Sequence, residues 1–148
     1  MTTIRTALPG DSDAWLHMRC ALWPEGSAQK HAAEITAFFA GTAHMPLAVL
    51  LAFDGAAAVG FAELSIRSVA ESCITDRVGY LEGWYVEPAA RRRGVGRALV
   101  EAAEAWARGQ GCTEFGSDTQ IVNDTSAAAH AVLGFEEVEQ IRCFRKSL

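Results

Sequence analysis

From Val95 onward, apolar residues recur at helical spacing. Val95, Leu99, Ala102 and Trp106 mark one face, with Ala98, Ala103 and Ala105 between them. Arg97, Glu101, Glu104 and Arg108 mark the wet face, and Glu104 with Arg108 makes a favourable i,i+4 pair. Gly109 and Gly111 end this helix. Just upstream the period is different. Tyr80, Leu81, Trp84, Tyr85 and Val86 are pleated-surface residues and predict a strand. Pro88 ends it, since proline donates nothing to a ladder. Gly79 to Gly111 therefore reads as strand, turn, helix.

The remaining pattern surrounds this unit. Thr2 to Leu8 reads as a first strand, turned by Pro9-Gly10. Asp11, Ser12 and Asp13 are capping candidates for a helix carrying Ala14, Trp15, Met18 and Leu22, which Pro24 stops. Ser27 caps a second helix with Ala28, His31, Ile35 and Phe38, closed by Gly41. Pro46 to Phe53 and Ala58 to Arg67 predict two strands joined at Asp54-Gly55, a hairpin signal. Ser68 to Arg77 is a polar loop. Cys112 to Asp118 reads as a strand, Ala127 to Leu133 as a short helix capped from Asn123 to Ser126, and Val138 to Lys146 as a last strand with a register break near Gln140. The order β-αα-ββ-β-α-β-α-β is mixed α/β, with no repeat and no linker across residues 1–148.

Composition narrows the function. Half of the 148 residues are hydrophobic, enough for one core. No apolar run reaches the ~18 residues a membrane span needs, and the N-terminus lacks a signal peptide's apolar region. Cys20, Cys73, Cys112 and Cys143 have no metal-ligand spacing. These features predict a cytoplasmic protein without metal or membrane. The formal charge is −5, from 13 basic and 18 acidic residues. Four of the basic residues lie in one turn, Arg91-Arg92-Arg93-Gly94-Val95-Gly96-Arg97. The rest of the chain carries nine basic residues against the same 18 acidic ones. That segregation excludes the broad basic face nucleic acid requires. It suits one anionic and one cationic ligand.

The turn itself suits a phosphate. Two glycines leave backbone N–H groups bare where a helix opens, and the arginines add forked donors. It lacks the Gly-Lys-Ser/Thr ending of a Walker loop, and its helix opens with GxG, not the dinucleotide GxGxxG.

Arg91-x-x-Gly94-x-Gly96, following Val86-Glu87-Pro88, resembles the acyl-CoA pyrophosphate loop of the GCN5-related N-acetyltransferases, the GNAT superfamily. Leu81-Glu82-Gly83 before it and Ala129-His130-Ala131-Val132-Leu133-Gly134-Phe135-Glu136 after it fit the same pattern. Trp23 after Met18-Arg19-x-x-Leu22, Gly60-Phe61-Ala62-Glu63 and Glu114-Phe115-Gly116-Ser117-Asp118 resemble the aminoglycoside 6′-N-acetyltransferases, from about Trp15 to Lys146.

The resemblance implies the GNAT fold, a mixed sheet whose central strands splay around acetyl-CoA. It implies pantetheine contacts at the backbone of Trp84, Tyr85 and Val86 and at Asn123. Phosphate contacts fall on Arg91, Arg92, Arg93, Gly94, Val95, Gly96 and Arg97. It also implies an antibiotic-inactivating enzyme that works as a homodimer. Glu82 and Asp118 are the catalytic candidates, because a carboxylate can bind a substrate ammonium and accept its proton. Asp118, at its strand's end, is the expected base. Trp23, Glu25 and Glu139 join them as substrate contacts, with Glu136 and Glu137 as alternatives. The substrate wall is expected to be free of arginine and poor in tyrosine. With no tyrosine beyond Tyr85, the proton donor to the leaving thiolate is unassigned. No Cys-His spacing suggests an acyl-enzyme, so direct transfer is expected. The alternatives are acetylation of another small amine, such as a polyamine, or a CoA-binding module without turnover.

Overall fold

A computed structural model describes all residues, Met1–Leu148. Its centre is a five-stranded sheet in sequential order. The strands are β1 (Thr2–Thr6), β2 (Ala48–Asp54), β3 (Ala57–Arg67), β4 (Val78–Val86) and β5 (Glu114–Ser117). The first four pair antiparallel, and β5 is parallel to β4. Helices α1 (Ser12–Leu22) and α2 (Ala28–Ala40) lie between β1 and β2 in the chain. Helix α3 (Val95–Gly109) links β4 to β5, and α4 (Asp124–Val132) follows β5.

Alternation along the strands feeds a core on each face. Leu50, Ala52, Ala62, Leu64 and Leu81 pack beneath Val95, Leu99, Val100 and Ala103 of α3. Val49, Leu51 and Phe61 point the other way, onto Trp15 and Met18 of α1 and Ile35 of α2. The buried face of α3 follows the expected 3.6-residue period, with Ala102 and Trp106 at its margin. Gly55, with φ +61°, makes the tight turn between β2 and β3.

One irregularity shapes everything downstream. Glu63 pairs with Gly83 and Leu64 with Leu81, so Glu82 is an extra residue in β4, a bulge. The bulge resets the alternation. Leu81 and Trp84 both pack on the α3 side, whereas Tyr85 packs against Phe61 on the α1 side. The β4–β5 ladder runs only from Val78↔Glu114 to Leu81↔Ser117. Beyond that last pair β4 continues without β5, so the sheet opens into a wedge.

The largest departures from the expected elements lie in the last third of the chain. Strand β5 is shorter than Cys112 to Asp118, because the Cys112 N–H closes α3 on the Ala107 carbonyl. Helix α4 starts at Asp124, three residues before the expected Ala127, because the Asn123 side chain accepts the Ser126 N–H at 3.0 Å. The expected strand from Val138 to Lys146 does not form. Val138, Ile141 and Phe144 recur every third residue, so an extended chain points them to both sides and no single sheet face buries them. They are 52%, 54% and 91% exposed.

Leu99 joins α3 to the sheet with no solvent exposure. Leu99→Ala should cost about 2–5 kcal/mol, read as a fall in the denaturant midpoint of unfolding.

Candidate active site

The wedge has one bare strand edge. Val86 faces Gly60 in a non-hydrogen-bonded pair, since the Glu87 N–H reaches the Val59 carbonyl at 2.8 Å. Backbone direction alternates along a strand, so Trp84 and Val86 turn N–H and C=O to the open edge, whereas Tyr85, expected to share that edge, turns its own to Phe61 of β3. The Val86 carbonyl accepts Nε of Arg91 at 2.8 Å.

The arginine turn closes the wide end. Gly94, at φ +85°, is the N-cap of α3 and supplies no side-chain cap. The first helical bond runs from the Ala98 N–H to the Gly94 carbonyl, which leaves the earlier N–H groups free. Gly96 lets α3 sit on the Trp84 ring, where a Cβ would lie 3.1 Å from its Cζ2. Arg91, Arg92, Arg93 and Arg97 are exposed. Arg93 pairs with Asp54 at 3.0 Å, while Arg92 and Arg97 make no ion pair within the chain. A bare edge leading to free helix N–H groups and unpaired guanidiniums fits an extended ligand with phosphates at one end. Trp84 Nε1 adds a buried donor without a partner. Asn123 keeps its side-chain NH₂ free while its oxygen caps α4.

The α1 side of the sheet is acidic. Arg67 binds Glu82 through both nitrogens, Nε to Oε1 at 2.9 Å and Nη2 to Oε2 at 2.7 Å. Ser65 donates to the same Oε1. Asp118 lies just past β5, its side chain 71% exposed. One oxygen accepts the Tyr80 hydroxyl at 2.8 Å and stands 4.0 Å from Arg67 Nη2. The Arg67 guanidinium also stacks 3.6 Å from the centre of the Tyr80 ring. The structure thus corrects the expectation of an arginine-free wall, because Arg67 sits between the two expected carboxylates. Glu82 holds the Arg67 pKa above its ordinary value, against partial burial. Burial, then Asp118, pushes the Tyr80 phenol up, so it stays a donor across the working pH range.

Deeper in the same face is a buried ion pair. Arg19 Nε meets Glu63 Oε1 at 2.6 Å, and Trp15 Nε1 donates to the same oxygen at 3.0 Å. Arg19 Nη1 also reaches Glu34 and donates to His31 Nδ1 at 3.1 Å. His31 Nε2 then donates to the Trp23 carbonyl at 3.0 Å. Burial alone would lower the Arg19 pKa, but Glu63 and Glu34 outweigh it and the net direction is up. Trp23 is held over Gly83, where a Cβ would come within 2.6 Å of its ring. It stacks on His31 and lines two adjoining recesses, one with Glu25 and Glu34, the other with Glu63 and Glu82. The Trp23 ring is therefore both a helix-junction residue and a cleft wall.

Glu139 lies apart from this group. It is on the exposed terminal segment with Glu136 and Glu137, and it makes no ion pair with the rest of the chain. Arg67, Tyr80, Arg19 and Glu63 were given no site role by the sequence reading, although Arg19 and Glu63 stand in the motifs quoted there and Tyr80 in the expected strand. For Glu63 and Arg67 the signal was the alternation Glu63, Ser65, Arg67 along an otherwise apolar strand, which lays three polar side chains on one face.

A family model described as "Acetyltransferase (GNAT) family" matches residues 13–135. The chain belongs to the GNAT acetyltransferase family. Its relatives within the family are alike over nearly their whole length. An "Aminoglycoside N(6')-acetyltransferase type 1" of Klebsiella aerogenes is 58% identical over 147 residues, 98% of this chain and 96% of that protein. One of the same name from Stenotrophomonas maltophilia is 42% identical over 99% of this chain and 94% of that protein. Among solved structures, AAC(6')-Iy in complex with the bisubstrate analogue CoA-S-monomethyl-acetylneamine is 34% identical. It superposes with a TM-score of 0.91, covering 100% of this chain and 99% of that one. The GNAT fold is shared with that solved structure.

Two outcomes follow from the geometry. Gly94→Asp or Gly96→Asp puts a carboxylate at the free N–H groups of α3, so calorimetry should show clearly weaker acetyl-CoA binding. Glu63→Gln leaves Arg19 buried with its main counter-charge gone. Unfolding free energy should fall by about 3–5 kcal/mol, as for other broken buried pairs, measured by urea denaturation.

Proposed function

We propose that this protein transfers the acetyl group of acetyl-CoA to the 6′-amino group of aminoglycoside antibiotics and so inactivates them. The observation that carries this reading is the meeting of two sites of opposite charge at one point. The phosphate-suited edge of β4 runs down to Leu81 and Ser117. On the opposite face, Glu82 and Asp118 flank that same point with a guanidinium already held between them. A cation-binding cleft beside a thioester-binding wedge is what acetylation of an amine requires. Relatives named for aminoglycoside 6′-acetylation, alike over almost the full chain, give the substrate class.

Phosphates lie on the N–H groups from Gly94 to Arg97 and on the arginines, and the pantetheine arm follows Trp84 and Val86 to the apex. Asn123 reaches the same arm. Trp23 walls the cleft, and Glu25, Glu82 and Asp118 take the ammonium groups, with Glu139 added from the terminal segment. Asp118 is the base. Glu82 is already neutralised by Arg67, whereas Asp118 is mostly exposed and keeps one oxygen free of protein partners. Transfer is direct, within a ternary complex. The protein works in the cytoplasm, where acetyl-CoA is made, as a homodimer. The exposed Val138, Ile141 and Phe144, and a β5 strand with one edge unpaired, support self-association.

Thiol release from acetyl-CoA with kanamycin, tobramycin and spermidine decides the substrate. The aminoglycosides should turn over, with mass spectrometry locating the acetyl on the 6′ nitrogen. Preference for spermidine would sink the reading. Asp118→Asn should lower kcat by about 10²–10⁴-fold, the usual share of general-base catalysis. Glu82→Gln should act mainly through KM. Rising salt should raise the aminoglycoside KM, since exposed ion pairs are screened over ~8–10 Å at 0.1–0.15 M. Light scattering should give twice the 15.9 kDa chain mass.

A further inference from the structure

On the acetyl-accepting face the Tyr80 and Ser65 hydroxyls are already committed to Asp118 and Glu82. The other face of the sheet brings a third hydroxyl to the wedge. Ser117 is the last paired residue of β5 and stands at the apex of the wedge. Its hydroxyl lies 2.8 Å from Nε2 of His130 and 3.4 Å from the Leu81 carbonyl across the wedge. His130 is fixed from behind, with Nδ1 at 2.7 Å from the Ser126 carbonyl. A carbonyl only accepts, so Nδ1 carries a proton in every charge state, and only Nε2 changes.

We infer that His130 and Ser117 form the proton relay to the coenzyme A thiolate. This inference rests on the acetyl-transfer reading above. With His130 neutral, Ser117 donates to Nε2. With His130 as imidazolium, Nε2 donates to Ser117 Oγ, and the hydroxyl proton is free to turn into the wedge, toward Leu81 in the unliganded chain and toward sulfur in the complex. The neutral amine attacks the carbonyl carbon, the C–N bond forms and the C–S bond breaks. The amine proton leaves to Asp118. The sulfur takes the Ser117 proton, and Oγ takes the Nε2 proton. Asp118 then releases its proton to solvent and the neutral His130 takes one up from it, so both groups are reset. Product amide and free thiol balance the step.

His130 lies in the last turn of α4. Its ring meets Trp84 at 5.2 Å from β4 and Phe135 at 5.1 Å from the chain after α4. Neither is ionisable, nor is Ser126 on its own helix. The charged neighbours along the chain are Asp118, next to Ser117 but turned to the opposite face onto Tyr80, and Asp124 in the first turn of α4.

The test uses the full chain with His130→Gln and Ser117→Ala. In the wild type, kcat should fall on the alkaline side as His130 loses its proton. Each variant should lose about 10²-fold or more in kcat and that alkaline limb, with CoA affinity by calorimetry unchanged. A merely structural role would lower the melting temperature but leave the pH profile in place. Independently of turnover, NMR of the His130 ring nitrogens should show its titration moved by CoA in the wild type and not in Ser117→Ala. A titration indifferent to CoA, or variants within threefold of wild-type kcat with its pH profile, overturns the relay. Should the wild type fail to acetylate aminoglycosides, the substrate reading fails instead, and the NMR titration still decides the relay.

Discussion

The parting of β4 from β5 after Leu81 and Ser117 governs the rest of the molecule. A parallel pair can stay together only while both strands keep register and direction. At Glu82 the bulge turns β4, while β5 ends one residue past Gly116. The bared edge would be a liability on a sheet's rim. Here it is flanked by α3 and α4, whose Gly96 and His130 both meet the Trp84 ring.

The same bulge sorts the chemistry by face. Odd positions of β3 from Phe61 through Glu63, Ser65 and Arg67 share the α1 side, and Tyr80 and Glu82 meet them there. Trp84, Phe115, Ser117 and His130 gather on the α3 and α4 side. Two sets of polar groups therefore approach one point from opposite sides of a single sheet. Neither set has to pass through the core to get there.

Much of this was legible in the chain. The strand, arginine turn and helix announced themselves, because their local chemistry is also their tertiary role. Gly94 and Gly96 are informative for the same reason, since a positive φ and a close approach to Trp84 leave little alternative. The local pair of Glu104 with Arg108 was legible and forms at 3.4 Å, but the long-range ion pairs were not legible. Arg67 meets Glu82 across two strands whose register depends on the bulge, and no local pattern announces an extra residue in mid-strand. Arg19 and Glu63 lie 44 residues apart and meet only through packing of α1 on β3. The terminal segment failed for a different reason. Its strand-forming residues are real, but a strand also needs an edge to pair with, and propensity does not provide one.

The Arg19 network has an evolutionary consequence. Trp23 and Glu34, which wall the cleft, are joined through Arg19 and His31 to Glu63 and Trp15 in the core. A mutation in this wall also strips a partner from a buried charge. Any change of shape there begins as a less stable protein and spreads only alongside a compensating change elsewhere. The rim is different. Glu25 and the terminal acids are exposed and belong to no buried ion pair, so sequence variation should accumulate there first.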